Sequence, residues 1–387
     1  MSQGEGDPRL DVLDEATLTP LVRRALCREA AELLDWRWSP IAHDMYLSGR
    51  TLARFTGEAV VDGNVVPWSI VLKKTGPARE ADGARGEWGA REALAYRSGL
   101  LADIPGELAV PRALTVTEDA HACIWLWLED VVDQFGGAWP LAQYGRAARA
   151  LGQFNGAYLA GRPLPDYPWL MPSWAEHHSA LQTIPAALPQ IEALASDDRV
   201  RAAFPVPIVE LAPRLLRDEP AFIEILARLP RTLCHHDASQ ANLLARRRAD
   251  GTVETVAIDW ESVGHGTAGA EIATLVFGTM RRGDFSAERA AELDRDVFAG
   301  YLAGLRDAGW RGEPDLVRLG YCAAVALRWF LLRGTLRALT EDAALAIRGR
   351  AVESRERAIE QFILLTLFLL ERADEARTLA RRYALVP

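Results

Sequence analysis

The chain is short of cysteine. Four residues in 387, Cys27, Cys123, Cys234 and Cys322, lie far apart with no C-x-x-C pair among them. That argues against a disulfide framework and predicts free, mostly buried thiols in a reducing compartment. Long apolar runs are missing too. The longest, Phe362 to Leu370, is about half of what a membrane span needs, so a helix buried on most sides is expected there. A basic excess is also lacking: 44 Lys and Arg against 53 Asp and Glu give a net charge of −9. The resulting pI near 5.4 argues against a nucleic-acid surface. Residues 1–8 are polar and carry no apolar h-region, so no secretory signal and a cytoplasmic location are expected.

What is present is an ordinary soluble composition, 49% hydrophobic and 25% charged, in a chain too long for one small core. Two lobes are expected. Thr19-Pro20 is read as an N-cap followed by proline at the first helical position, opening a helix to about Leu34. Arg50 to Val61 and Val65 to Lys74 are read as strands joined by a turn at Asp62-Gly63-Asn64. A Gly/Pro/Ala-rich loop follows, and then Glu87 to Leu101 has helical periodicity. Ala109 to Thr117 and Ala122 to Glu129 read as two more strands. From Leu141 onward nearly everything is helix-patterned except Thr232 to Glu261. The expected class is therefore α+β, with a β-rich lobe preceding a helical one.

That non-helical island carries the chemistry. Thr232-Leu-Cys234 is strand-like and His235-His-Asp-Ala-Ser-Gln-Ala-Asn242 is a loop. Leu243 to Ala245 and Thr255 to Ile258 would form a hairpin across Ala249-Asp-Gly251, delivering Asp259-Trp-Glu261. Such a hairpin brings Asp237, Asn242 and Asp259 to one end. Oxygen ligands of this kind suit Mg²⁺ better than zinc.

His235-x-Asp237-x4-Asn242, with Asp259 seventeen residues after the asparagine, resembles the catalytic loop and metal aspartate of protein-kinase-like phosphotransferases. Asp237 lacks a preceding arginine, Asp259 is not followed by a long activation segment, and Ala257-Ile-Asp-Trp-Glu261 fits an IDWE pattern. These features resemble the aminoglycoside phosphotransferase/choline kinase family. Gly264-His-Gly-Thr-Ala-Gly-Ala-Glu271-Ile-Ala273 is similar to the family's G-D-P-x-x-D-L-A, with Thr267 and Glu271 where aspartates are common.

The resemblance implies a bilobal protein-kinase-like fold. Residues 1–35 would be a helical extension, 36–130 a nucleotide-binding N-lobe, and 131–387 a C-lobe with the catalytic loop and a helical substrate subdomain. It implies that Asp237 accepts or orients the acceptor hydroxyl's proton, while Asn242 and Asp259 hold Mg²⁺ on the phosphates of ATP. Trp68-Ser-Ile-Val-Leu-Lys73 resembles the strand whose lysine holds the α- and β-phosphates. Lys73 is preferred because Val71 shares its face, with Lys74 as the alternative. Arg91-Glu92-Ala-Leu-Ala-Tyr96 resembles the helix that pairs with that lysine, so Glu92 is the expected partner and Glu87 the reserve. Glu129 and Val131 would flank the adenine-reading backbone. Where a phosphate-covering loop is expected, near Ser39 to Arg50, there is no G-x-G-x-x-G, only Ser48-Gly49.

On the substrate side the candidates are His236, Ser239, Glu261, Glu271 and Trp169. His235 is read as structural. His236 stands where glycine is usual and would face either substrate or solvent. Ser239 takes a position where this family often has histidine. Trp169 belongs to an aromatic segment, Leu164 to His178, that would cap the acceptor or simply pack its own loop. Asp284, Glu288, Glu292, Asp294 and Asp296 would meet a polycation or form a solvated face.

The implied function is ATP-dependent transfer of a γ-phosphate to a hydroxyl of a small molecule: an aminoglycoside, a sugar, an amino alcohol or another natural product. Neither nucleic acid nor membrane is an expected partner. The alternatives are a kinase for Ser/Thr of a peptide precursor and a catalytically weak pseudokinase. A third arises because His236-Asp237 with His43-Asp44 resembles the HD-type phosphohydrolases, although those motifs sit on helices and would leave Asn242 without a role.

Overall fold

Asp62 and Gly63 both take positive φ, 51° and 78°, which closes the two-residue turn between strands β2 (Thr51–Val61) and β3 (Asn64–Thr75). The primed turn matches the right-handed twist of its flanking strands. The computed structural model describes residues 10–41, 51–76, 88–173, 175, 184–341 and 354–385. They belong to two compact units, residues 1–103 with 109–132, and residues 104–108 with 133–387.

The first unit is built on a five-stranded antiparallel sheet, order β1-β2-β3-β6-β5, with β1 at Glu32–Pro40, β5 at Ala113–Glu118 and β6 at Ile124–Glu129. Helix α1 (Glu15–Leu26) starts earlier than its sequence signal suggests. Asp14 is the cap, its carboxylate accepting the Thr17 N–H at 2.9 Å, and Pro20 lies inside the helix. An interior proline forfeits one i→i−4 bond. The helix stops at left-handed Cys27, and residues 32–34, read as its tail, begin strand β1, which runs to Pro40.

Leu18, Leu21 and Val22 of α1 share one core with Phe55, Trp68, Ile70, Leu72 and Trp127 of the sheet. Leu10, Leu18, Leu21 and Val22, within the stretch expected as an extension, thus contribute to the sheet's own core. Truncating Phe55 to alanine there would cost about 3–5 kcal/mol. Alternation along β3 puts Trp68, Ile70, Leu72 and Lys74 on this core side and Ser69, Val71 and Lys73 on the other. Helix α2 (Trp88–Arg97) completes the unit.

Strand β4 is the short stretch Leu108–Ala109. The second unit is mainly helical: α3 (Leu141–Leu159), α4 (Ile184–Ala195), α5 (Asp198–Ala203), α6 (Ile208–Arg217) and α7 (Glu219–Arg228) precede its strands. β7 (Arg231–Cys234) follows, and β8 (Leu243–Arg247) with β9 (Val253–Ala257) forms the expected hairpin. The partner of β7 is a strand the sequence did not signal, β10 (Gly264–Thr267).

Beyond it, α8 runs from Glu271–Ala273 through a π-turn at Thr274–Gly278 to Thr279–Arg281. The last helices are α9 (Ala290–Asp307), α10 (Pro314–Ala326), α11 (Phe330–Thr340) and α12 (Arg355–Arg382). α3 and α9 cross so closely that a Cβ on Gly152 would lie 2.2 Å from the Tyr301 carbonyl oxygen. Among the described residues no helix is long and apolar enough to cross a membrane. The apolar run 362–370 lies in α12, with Phe362, Leu365, Phe368, Leu369 and Leu370 buried.

Candidate active site

In the first unit, Lys73 and Glu92 meet at 2.6 Å, their side chains 11% and 4% exposed. Adjacent Lys74 points to the opposite face and is fully buried, its ammonium 4.8 Å from the Trp125 ring centroid. Lys74 and Trp125 are cross-strand partners, so the register that sends Lys73 to Glu92 also sends Lys74 onto the indole. At the end of β6, Asp130 receives both Arg54 Nε (2.7 Å) and Nη2 (3.1 Å), clamping this terminus to β2. The Glu129 N–H donates to the Arg112 carbonyl at 3.0 Å. Val131 follows outside the strand, its N–H carrying no backbone bond among the described residues. Ser48, Gly49, Glu87, His43 and Asp44 lie outside the described residues.

In the second unit, β7 ends at Cys234 and the chain turns into the His235–Asn242 loop. The Asp237 N–H donates to His235 Nδ1 (3.2 Å), and His235 Nε2 bonds the Ile258 carbonyl (2.9 Å). Those partners set the tautomer with the proton on Nε2. His235 thereby ties the loop to the segment that delivers Asp259, and its ring packs edge-on against buried Trp260, centroids 4.6 Å apart. The Ile258 N–H donates to the Asn242 carbonyl at 2.9 Å, closing the same junction from the other side.

Asn242 turns its side-chain amide inward, donating to the Asp237 carbonyl and to Asp237 Oδ2, each at 2.9 Å. Asp259 adopts a left-handed conformation, φ 63° and ψ 62°. A non-glycine residue held there signals local strain, which tends to gather at functional sites. Burial, then the charges of Asp259 and Glu261, push the Asp237 carboxyl up to about 7, against the opposing pull of Arg328 and Asn242. Three carboxylates therefore share one field.

Of the substrate-side candidates, His236 is turned away from solvent: it is 7% exposed, and its Nε2 is held by the His265 carbonyl on β10 at 3.0 Å. Burial drives its pKa down to about 3. Its φ of 67° explains why glycine suits this position. Glu271 is 1% exposed and accepts the His235 N–H (2.7 Å) and the His236 N–H (3.0 Å), so it braces the loop.

Ser239 is buried, its N–H donating to the Asp237 carbonyl at 2.8 Å and its own carbonyl accepting the Asn242 N–H at 2.9 Å. Glu261 lies in the single turn Trp260–Ser262 after Asp259. Trp169 stacks on Tyr167 at 5.1 Å. Their segment is pinned to β10, because the His265 N–H donates to the Met171 carbonyl (2.8 Å) and His265 Nε2 bonds the Pro165 carbonyl (2.9 Å).

The sequence reading missed the supports behind this loop. Asn155 on α3 donates to the Leu233 carbonyl (2.7 Å), accepts Tyr301 O–H from α9 (2.7 Å), and its carbonyl takes the Thr232 hydroxyl (2.9 Å). A lone asparagine inside the apolar pattern of α3 was the available signal. Thr274 donates to the His236 carbonyl (3.3 Å) and receives Arg328 Nη2 (2.6 Å). Arg328 was equally visible as one charge in the run Tyr321 to Leu332.

Among the described residues no three His, Cys, Asp or Glu side chains converge as a preformed metal cage. Mg²⁺ does not need one, since it is commonly held by one or two protein oxygens together with substrate phosphates and water. The donor chemistry fits. With its nitrogen committed to Asp237, the Asn242 amide leaves its oxygen as a hard ligand, and the Asp259 carboxylate is close enough to disturb Asp237.

The model of the phosphotransferase enzyme family (APH) matches residues 60–313. Among solved structures the chain is similar to the amicoumacin kinase hAmiN, crystallised with AMP-PNP, Ca²⁺ and its ligand Ami. That match has 12% identity over 95% of this chain and 97% of that one, with a TM-score of 0.48. It is similar to an aminoglycoside phosphotransferase of Alicyclobacillus acidocaldarius at 13% identity, covering 90% and 94% with a TM-score of 0.48. A third is the aminoglycoside phosphotransferase APH(3'')-Id of Streptomyces rimosus, at 21% identity, 82% and 100% coverage, and a TM-score of 0.42. No curated protein sequence matches it significantly.

Proposed function

The chain belongs to the phosphotransferase enzyme family, whose model covers about two thirds of it, and on that premise we propose that it moves the γ-phosphate of ATP to a hydroxyl of a small molecule. The observation that carries this reading is the Asn242–Asp237 hydrogen bond, made in a loop whose neighbouring hairpin supplies Asp259. One carboxylate is held by an amide, and a second stands beside it. That is the pairing an acceptor-orienting base and a metal-bearing residue require.

Asp237 would accept, or orient, the proton of the attacking hydroxyl. Its carboxylate is held in one rotamer by Asn242, and its backbone by His235 and Ser239. Fixing the nucleophile in this way is where most of the protein's contribution lies, because the transition state of phosphoryl transfer is loose and demands little covalent help. Asn242 and Asp259 would hold Mg²⁺, which when bound neutralises charge on the transferring phosphate. Lys73, kept in place by Glu92, would grip the α- and β-phosphates, while Glu129 and Val131 would flank adenine.

The test is mass gain of acceptors incubated with Mg-ATP, using pools of aminoglycosides, sugars, amino alcohols and hydroxylated antibiotics. A gain that disappears in Asp237→Ala supports the reading. Transfer that survives this substitution refutes the assigned role, and absence of Mg-ATP binding refutes the reading altogether.

A further inference from the structure

Strand β1 ends the five-stranded sheet, and among the described residues no strand pairs with its outer edge. Its inner pairing says which residues face that edge. The Ile41 N–H donates to the Leu52 carbonyl at 2.9 Å, so Ile41 and Leu52 form a hydrogen-bonded pair. Bonded and non-bonded pairs alternate along an antiparallel ladder. Ser39–Arg54 and Arg37–Thr56 are therefore bonded, and Trp38–Phe55 and Trp36–Gly57 are not. The backbone N–H and C=O groups of Trp36 and Trp38 point away from β2, along the open edge.

Natural sheets guard such an edge with lysine, proline or a bulge. β1 contains no lysine and has its guards only at the two ends. Pro40 offers no N–H at one, and a bulge between Leu33 and Asp35 breaks the ladder at the other. The stretch between them is regular. It exposes Trp36 on one face, with exposed Leu34 at the bulge beside it.

The opposite face of β1 carries charge of both signs. Asp35 lies across from Glu58, whose N–H donates to Asp35 Oδ1 at 2.9 Å, and Arg37 lies across from Thr56. Together with Pro67 and Ser69 of β3 they line an open groove. Two carboxylates directly across a ladder repel each other, and a cation beside them relieves the repulsion. Arg37 is exposed and makes no ion pair among the described residues.

This edge is complementary to itself. A second copy laid antiparallel about Trp36 sets Trp36 against Trp36, Leu34 against Trp38, and Asp35 of each copy against Arg37 of the other. Trp36 then forms a bonded pair through its outward backbone groups, and the Asp35–Arg37 pairs take the closer, non-bonded positions. Each guanidinium arrives beside the Asp35–Glu58 pair of the other copy. Sliding the register by two residues either way centres it on Arg37 against Arg37 or Asp35 against Asp35, so charge selects the pairing about Trp36.

We propose that β1 is a self-association edge, through which two copies of this chain pair antiparallel over Leu34–Trp38 and join their sheets. The contact is isologous and short, so a dissociation constant of about 1–100 µM is expected. Sedimentation equilibrium of the full chain from about 1 to 300 µM tests it. Arg37→Asp sets acid against acid and should weaken the dimer about tenfold or more, as should Asp35→Arg, which sets arginine against arginine. An equimolar mixture of the two variants pairs every arginine with an aspartate and should dimerise again. Where Asp35→Arg fails to fold, because Asp35 holds the Glu58 N–H, Arg37→Asp and Trp36→Lys carry the test. A monomer throughout that range, a dimer unchanged in Arg37→Asp, or a folded mixture that stays monomeric would each overturn the proposal. So would protection of the Trp36 and Trp38 amides from hydrogen exchange that does not vary with protein concentration, since a segment of the same chain would then cover the edge.

Discussion

Glu271 and His236 lie 35 residues apart in the chain, and the buried carboxylate of one accepts the backbone N–H of the other at 3.0 Å. The second oxygen takes the His235 N–H at 2.7 Å. One side chain therefore satisfies two consecutive amides where the backbone turns left-handed and no ladder is open to them. Glu271→Ala should leave both donors buried and unpaired, destabilising the protein by about 2–6 kcal/mol at neutral pH. Urea unfolding measures this, and a loss under about 1 kcal/mol would contradict the bracing role.

His236 gives a pH dependence of known sign. Its pKa falls from 6.5 to about 3 on folding, chiefly because burial disfavours the charged ring. Between those values the unfolded chain binds a proton that the folded chain does not, so His236 costs stability as pH falls below about 6.5. The slope approaches about 1.4 kcal/mol per pH unit, which amounts to about 2 kcal/mol by pH 5. Replacing it with glycine, which accepts φ 67° without strain, should remove that part of the acid loss. Parallel unfolding curves of the two proteins between pH 7 and pH 5 would show the histidine has no such role.

The Lys73–Glu92 pair predicts an asymmetry between single and double substitutions. Lys73→Met leaves a carboxylate that is only 4% exposed without its cation, at a cost of about 3–5 kcal/mol. Lys73→Met with Glu92→Leu removes both charges and should recover most of that stability, while ATP affinity stays lost in both proteins. Equal destabilisation of the single and double variants would mean that the pair is not coupled. Retained ATP affinity would remove Lys73 from the phosphate site.

These residues also show what the sequence could and could not reveal. Asp237 and Asn242 were legible as neighbours because they stand five residues apart in one loop, and the β8–β9 hairpin that leads to Asp259 was legible from its turn. The hairpin at Asp62-Gly63 was legible because positive φ at both turn positions selects those residues. Strand β1 was not. Its residues are largely exposed, with no alternating buried face to give a period of two, and it follows a helix whose Pro20 resembled a start. The contacts of Glu271 and His236 were not legible for another reason: their partners are backbone groups, which have no signature in side-chain identity. Thr274 and Arg328 were not legible as supports because they stand 54 residues apart, Thr274 in α8 and Arg328 in the turn before α11.

Asp237 and Asp259 should fail differently. If Asp237 handles the hydroxyl proton, Asp237→Asn keeps the hydrogen-bonding shape and loses the base, so kcat should drop about 10²–10⁴-fold with KM for ATP little changed. Asp259→Ala removes a proposed Mg²⁺ ligand. Its effect should appear before any turnover, as weaker binding of Mg-AMP-PNP and a smaller difference between nucleotide affinity with Mg²⁺ and with EDTA. The two substitutions also reach each other electrostatically, because Asp259 is among the charges that raise the Asp237 carboxyl. Calorimetry of AMP-PNP with and without Mg²⁺ separates the roles. An Asp259→Ala protein whose nucleotide affinity still depends fully on Mg²⁺ would move the metal away from this residue. An Asp237→Asn protein that loses nucleotide binding along with turnover would place Asp237 among the metal ligands instead.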